Sequence, residues 1–317
     1  VIIFSSIIFL SLPVLFDYKS IKKSLEKQIF SEFKISVDIE SNISYKPFPI
    51  PHLFIEKANI NLKNHHQQST LIKANKFKIH IPIIEIYLKS IKNISNIEIS
   101  DSIIKLKIND IKNIRNHLFY NINNPIKITD STVFFLNDNN DTILISPIKK
   151  INYKIDNKKE YKKLNILGNL FNIDFNSEWK RFYKKPKETF FIIKIKNPSI
   201  NVKNQIKFKN NKEFKGSSHI ELMDEDIIIN YKLLNNNLKV SSPDLTNNQK
   251  IKVFSHFQFA PFHFNSEVKI SNKEINFLID NFLFYLFIYN KELLGNLNGN
   301  FSLNFSNLND QLIKNGK

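Results

Sequence analysis

From Ile35 onward, apolar and polar residues alternate along most of the chain. Phe77, Ile79, Ile81 and Ile83 stand against Lys78, His80 and Pro82, and Ile104, Leu106 and Ile108 against Lys105 and Lys107. Ile151, Tyr153 and Ile155 alternate with Asn152 and Lys154. Ile251, Val253, Phe257 and Phe259 sit against Lys252, His256 and Gln258, and Phe301, Leu303 and Phe305 against Ser302 and Asn304. A period of two sends successive side chains to opposite faces of a strand, so the pattern predicts a sheet with one apolar and one wet face. Asn-rich punctuation at 121–124, 137–141, 210–211, 235–237 and 247–248 separates the strands. Asn tolerates the left-handed turn geometry, and short connections favour antiparallel meanders.

Three stretches break the alternation. Val1–Phe16 is an uncharged run of Val, Ile, Phe and Leu interrupted by serines and closed by Leu12-Pro13. It reads as a membrane anchor; a crossing takes ~20 apolar residues, and the start inside the run reads as a fragment. A cleaved signal peptide is the competitor, but no small-x-small site follows. In residues 17–33, Ile21, Leu25, Ile29 and Phe33 recur at helical spacing opposite Lys22, Lys23, Glu26 and Lys27, which predicts an amphipathic helix. Ile275–Leu294 is apolar nearly all round and ends before Gly295, as a further buried helix would. Residues 34–317 then form one β-rich body whose C-terminal end reads as truncated.

The order of these parts resembles the AsmA family of bacterial envelope proteins. The pieces that carry the resemblance are Leu12-Pro13, Asp17-Tyr18-Lys19, the strand Lys34–Ile39, the turn Pro47-Phe48-Pro49, and the stretches Leu53–Leu62, Phe77–Ile99 and Ser102–Ile108. The chain departs from the family at two glycines, replaced near Ser31-Glu32 and at Ser41. The resemblance implies a single-pass inner-membrane protein with its body in the periplasm. Flanking Lys19, Lys22 and Lys23 taken alone argue for the reverse orientation.

Composition adds little chemistry. The net charge of +17 is spread one or two lysines at a time over predicted strands, and the abundance of Lys, Asn, Ile and Phe fits AT-rich coding. A solvated basic surface is favoured over a nucleic-acid platform. With no cysteine, disulfides and thiolate chemistry are excluded. No G-x-S-x-G, P-loop or dinucleotide fingerprint is present, and five glycines leave little to build a phosphate-cradling loop. His65-His66 adjoin in a polar linker, where neighbours seldom converge on one metal; His256 and His263 lack a third ligand at useful spacing, and Asp224-Glu225-Asp226 reads as a turn. No catalytic, cofactor or metal site is expected.

One feature bears on function. An apolar sheet face must be covered or used, and two helical segments look insufficient to cover this one. The expectation is therefore mainly β: anchor and helix, then a long, curled, mostly antiparallel sheet forming a groove. Phe77, Ile79, Ile81, Ile83, Ile104, Leu106, Ile108, Ile251, Val253, Phe257 and Phe259 would face lipid within it. The resemblance adds the expected role: a non-enzymatic envelope protein that binds or transfers phospholipid and supports outer-membrane assembly, with other envelope proteins as further partners. The alternatives are an assembly factor acting on client proteins and a secreted β-sandwich binding protein.

Overall fold

The computed structural model describes residues 2–62, 71–107, 114, 117–137, 140–170, 172–185, 187–197, 199–209, 213–222, 225–243, 251–259, 262–270, 301–307 and 313–316. The helix expected over Ile275–Leu294 lies outside the described residues. The chain divides into two compact units, Val1–Gly168 and Asn169–Lys317.

Unit 1 begins with α1 (Ile2–Ser11), followed by a 3-10 turn at Leu12–Leu15 that contains Pro13. The last carbonyls of a helix have no partner within it. Here two tyrosines cap them and a third caps the turn beyond: Tyr45 donates to the Leu10 carbonyl at 2.9 Å, Tyr87 to that of Phe9, and Tyr18 to that of Pro13 at 2.6 Å. Burial pushes the Tyr18 and Tyr45 hydroxyls up from their ordinary pKa, which keeps both as neutral donors. The Phe9 and Tyr87 rings stack at 4.8 Å. The apolar run is thus fastened to unit 1. No helix among the described residues is long and apolar enough to cross a membrane. This finding overturns the membrane anchor expected over Val1–Phe16, and with it the single-pass inner-membrane placement and periplasmic body.

The amphipathic segment forms α2 (Lys22–Phe33), whose Leu25, Ile29 and Phe33 are fully buried. It ends at Lys34, which takes the left-handed conformation (φ 54°) more usual for glycine. Its polar side is not simply solvated. Glu26 accepts the Ile39 backbone N–H, and Glu32 accepts the Ile94 N–H and the Asn124 amide.

The sheet of unit 1 contains β1 (Ile35–Ile39), β2 (Ile43–Lys46), β3 (His52–Ile55), β4 (Ala58–Leu62), β5 (Ile72–His80), β6 (Asn96–Lys107), β7 (Ile126–Leu136), β8 (Thr142–Asp156) and β9 (Tyr161–Leu170). Strands β3 and β4 both pair with β5, β1 pairs with β4, and β6, β7, β8 and β9 follow in order beyond β5. All of these pairs are antiparallel except β6–β7. Between β5 and β6, Ile83–Tyr87 forms a short helix, α3, so Ile83 opens a helical turn and does not continue the strand.

The buried face changes parity along one line across this sheet. On β6 the inward positions run Ile97, Ile99, then Ser102 and Ile104, and on β7 Ile126, Ile128, then Ser131 and Val133. At the switch stand Asp101 (φ 55°) and Asp130 (φ 51°), level with each other in the parallel register. Aspartate is among the few residues that visit the left-handed region readily. The line continues on β8, where the register with β9 shifts between Ile148 and Lys150. The Ser102 and Ser131 hydroxyls bond to each other beside it at 2.7 Å.

In neither unit does the described sheet close on itself or curl strongly. The groove-forming sheet expected from the sequence is therefore overturned; what stands is a mainly β fold with a few short helices. In unit 1 the physical reason is coverage, since α2 packs against β1 and the apolar face is buried.

Two histidines, His80 buried and His117 half-buried, give unit 1 a pH dependence. Burial pulls the His80 pKa down; Glu98, whose carboxylate is 3.9 Å from Nε2, opposes this, while His52, Lys78 and Lys127 add to it. Burial also lowers His117, against the hydrogen bond between its Nε2 and the Phe33 carbonyl. Both stay neutral in the folded state, whereas the unfolded chain takes up protons near pH 6.5. Stability is then lost as pH falls below about 6.5 toward the lowered folded values. Urea midpoints for unit 1 should drop between pH 7.5 and 5.5, and His80→Gln should reduce that drop.

Candidate binding face

Unit 2 is a meander: β10 (Ile173–Phe182), β11 (Glu188–Ile195), β12 (Ile200–Phe208), β13 (Glu213–Leu222), β14 (Glu225–Leu234), β15 (Asn237–Ser241), β16 (Ile251–Phe259) and β17 (Phe262–Ile270). Each pairs antiparallel with the next. Strand β18 (Phe301–Asn307) adds to β17 in parallel and β19 (Ile313–Gly316) to β18 antiparallel. No helix occurs among its described residues.

The registers sort the side chains into two faces. One is apolar. Phe208, Phe214, Leu233, Leu238 and Phe257 are directly opposite one another on five successive strands, β12 to β16. Farther along the same face, Trp179 lies against Phe191, ring centres 5.0 Å apart. These side chains are half-buried. The polar groups among them are paired internally: Trp179 donates to Ser177 at 2.7 Å, the Asn204 amide to Ser218 at 2.6 Å, and Ser255 bonds Ser266 at 2.6 Å. A face whose polar atoms are already satisfied has chiefly apolar surface to offer.

The opposite face is polar. His219, Glu221 and Asp226 bring ligand atoms within 4.8 Å of one another. Glu221, however, already accepts from the Asn201 amide at 2.6 Å and the Lys203 ammonium at 2.5 Å, and these bonds hold its carboxyl below the usual range. His219 is 2.9 Å from Asp226. The arrangement is a cross-strand network of hydrogen bonds and an ion pair that would have to release Lys203 to take a cation.

The residues expected from the sequence to face lipid divide between the units. In unit 1, Phe77 and Ile79 are fully buried, and Ile81 and Ile104 are buried; Ile83 and Leu106 are half-buried. Side chains sealed within protein offer no surface to a ligand. Ile108 lies outside the described residues. In unit 2, Val253 and Phe257 are half-buried on β16; Ile251 and Phe259 belong to the same strand, their side chains outside the description. The face partners on β10 to β14 were not singled out in the sequence. Glu188–Ile195 carries apolar residues at both parities, so its outward positions emerge only from the register.

No family model matches the chain, and no curated protein does. The AsmA resemblance is not upheld. A Leu-Pro pair, one helix and alternating strands recur readily in a chain so rich in Ile, Lys and Asn, and no helix among the described residues is long and apolar enough to be the membrane anchor that gave their order its meaning. The roles attached to that resemblance, phospholipid transfer from an inner-membrane anchor and outer-membrane assembly, fall with it.

Proposed function

We propose that the chain is a non-catalytic binding protein whose second unit holds the acyl chains of a lipid against its apolar sheet face. The observation that carries this reading is a contrast in burial. Among the described residues, every buried apolar side chain except Leu222 and Ile227 belongs to unit 1. Unit 2 nonetheless carries a ladder of Phe and Leu across five strands. Completing the burial of one such side chain contributes up to about 1 kcal/mol. A ligand must span several of them to offset an association cost of at least roughly 4 kcal/mol. Acyl chains, long and apolar, fit a ladder of that length. The reading requires no anchor, and it is supported by the lack of any hydrolase or nucleotide-binding motif in the sequence.

Trp179 is the only tryptophan of the chain and stands on this face. Brominated fatty acids should quench its emission, and Phe191→Asp should abolish the quenching while the circular dichroism stays unchanged. Absence of quenching in the wild type, or quenching that survives in the variant, would overturn the proposal.

A further inference from the structure

The polar face of unit 2 carries a row of cations that only the strand register reveals. Lys207 on β12, Lys215 on β13, Lys232 on β14 and Lys239 on β15 are directly opposite one another through three successive pairs. The row continues to His256 on β16. Neighbouring strands are about 4.8 Å apart, so the four lysine stems arise within roughly 15 Å. Like charges placed directly across strands work against the sheet.

Carboxylates relieve part of this repulsion. Lys207 pairs with Glu188 at 3.3 Å, and Lys232 with Glu213 at 3.7 Å, although Glu213 is shared with Lys209 at 3.2 Å. Lys215 and Lys239 are exposed and make no ion pair among the described residues. The four lysines line a cleft of about 460 Å³ together with Ser217 and Asn230. That volume lies within the range of small-molecule sites. Its side chains are mainly hydrogen-bond donors or cations.

We infer that this cleft binds a ligand bearing two phosphoryl groups, held chiefly by Lys215 and Lys239. The two free lysines are separated by two strand spacings, about 10 Å at the backbone. Their flexible stems converge on adjacent phosphoryl groups, and Lys232 between them supplies a third cation. Charge-assisted contacts of this kind are stronger than neutral ones. A compact anion fits better than a nucleic-acid strand, because the row of four lysines spans only about 15 Å. This site lies on the sheet face opposite the apolar one, so its test is independent of the acyl-chain reading.

The test is calorimetry of inorganic pyrophosphate with the full chain, and with Lys215→Gln combined with Lys239→Gln. A second arm measures co-sedimentation with phosphatidylcholine vesicles containing cardiolipin, whose headgroup carries two phosphoryl groups. The control pair, Lys194→Gln with Lys196→Gln, removes the same charge elsewhere in unit 2. Pyrophosphate binding weakened at least about tenfold in the first pair, and little changed in the control, would support a site for a free phosphate compound. Vesicle binding alone, lost in the first pair only, would assign the same chemistry to a lipid headgroup. Binding in neither arm, or equal weakening by both pairs, would overturn the site.

Discussion

Replacing Phe77 by Asp is expected to leave unit 1 unfolded at 25 °C. Phe77 is fully buried on β5, opposite Ile55 of β3 on one side and Ile99 of β6 on the other. Removing a buried phenylalanine side chain costs about 3–5 kcal/mol. A carboxylate left there would lie between Ile55 and Ile99, and either its desolvation or its forced protonation adds several kcal/mol. The sum is comparable with the whole stability of an ordinary domain, roughly 5–15 kcal/mol. Phe257→Asp, by contrast, places the charge on the half-buried face of unit 2, where water reaches it, and the fold should survive. Amide hydrogen exchange read separately for the two units distinguishes these outcomes. Protection of β5 and β6 retained in Phe77→Asp would contradict the closed core.

The pair of variants also marks what the sequence made legible. Alternation located the strands, and α2 followed directly from Ile21, Leu25, Ile29 and Phe33. Alternation does not say whether an apolar face is sealed. Phe77 and Phe257 look alike along the chain, yet one lies in a closed core and the other on a half-open face. Coverage depends on which helix returns to which strand, and that is tertiary information.

The parity switch was missed for a different reason. Ile97–Ile104 (IEISDSII) and Ile126–Val133 (IKITDSTV) share an I-x-I-[ST]-D-S pattern, with Asp at the left-handed position of each. The signal was present, but strict period-two counting treats that aspartate as an interruption when it is the pivot of the strand. The apolar start misled through composition alone. Uncharged length suggested a bilayer, whereas the helix ends at Ser11 and three tyrosines bind its last carbonyls and the turn beyond. The lysine row was unreadable, because four lysines spread over thirty-odd residues of sequence become neighbours only through register.

Gly216→Ala should cost unit 2 roughly 3 kcal/mol, a large effect for a single methyl group. Gly216 lies on β13 opposite Tyr231, whose ring folds over it. A Cβ there would run into the Tyr231 ring and hydroxyl and into the Gln205 backbone oxygen. The side chain can swing away, but the oxygen belongs to the neighbouring strand and moves only if the β12–β13 pairing shifts. Overpacking of this kind costs about 1–3 kcal/mol. Displacing Tyr231 forfeits more. Its hydroxyl donates to Asn204, which in turn donates to Ser218 at 2.6 Å, and its ring meets Phe214 edge-on at 6.1 Å. Burial pushes the hydroxyl up to about 12, so at neutral pH it remains a donor. A lost hydrogen bond adds about 1 kcal/mol. With only Leu222 and Ile227 buried among its described apolar side chains, unit 2 has little reserve to absorb such a loss. Trp179 emission during urea unfolding reports on this unit alone. The midpoint should fall sharply in Gly216→Ala, and less steeply when the same change is made in a Tyr231→Ala background, because part of the clash has gone. Equal shifts in the two backgrounds would mean that Tyr231 does not press on Gly216 and that the strand backbone alone sets the cost.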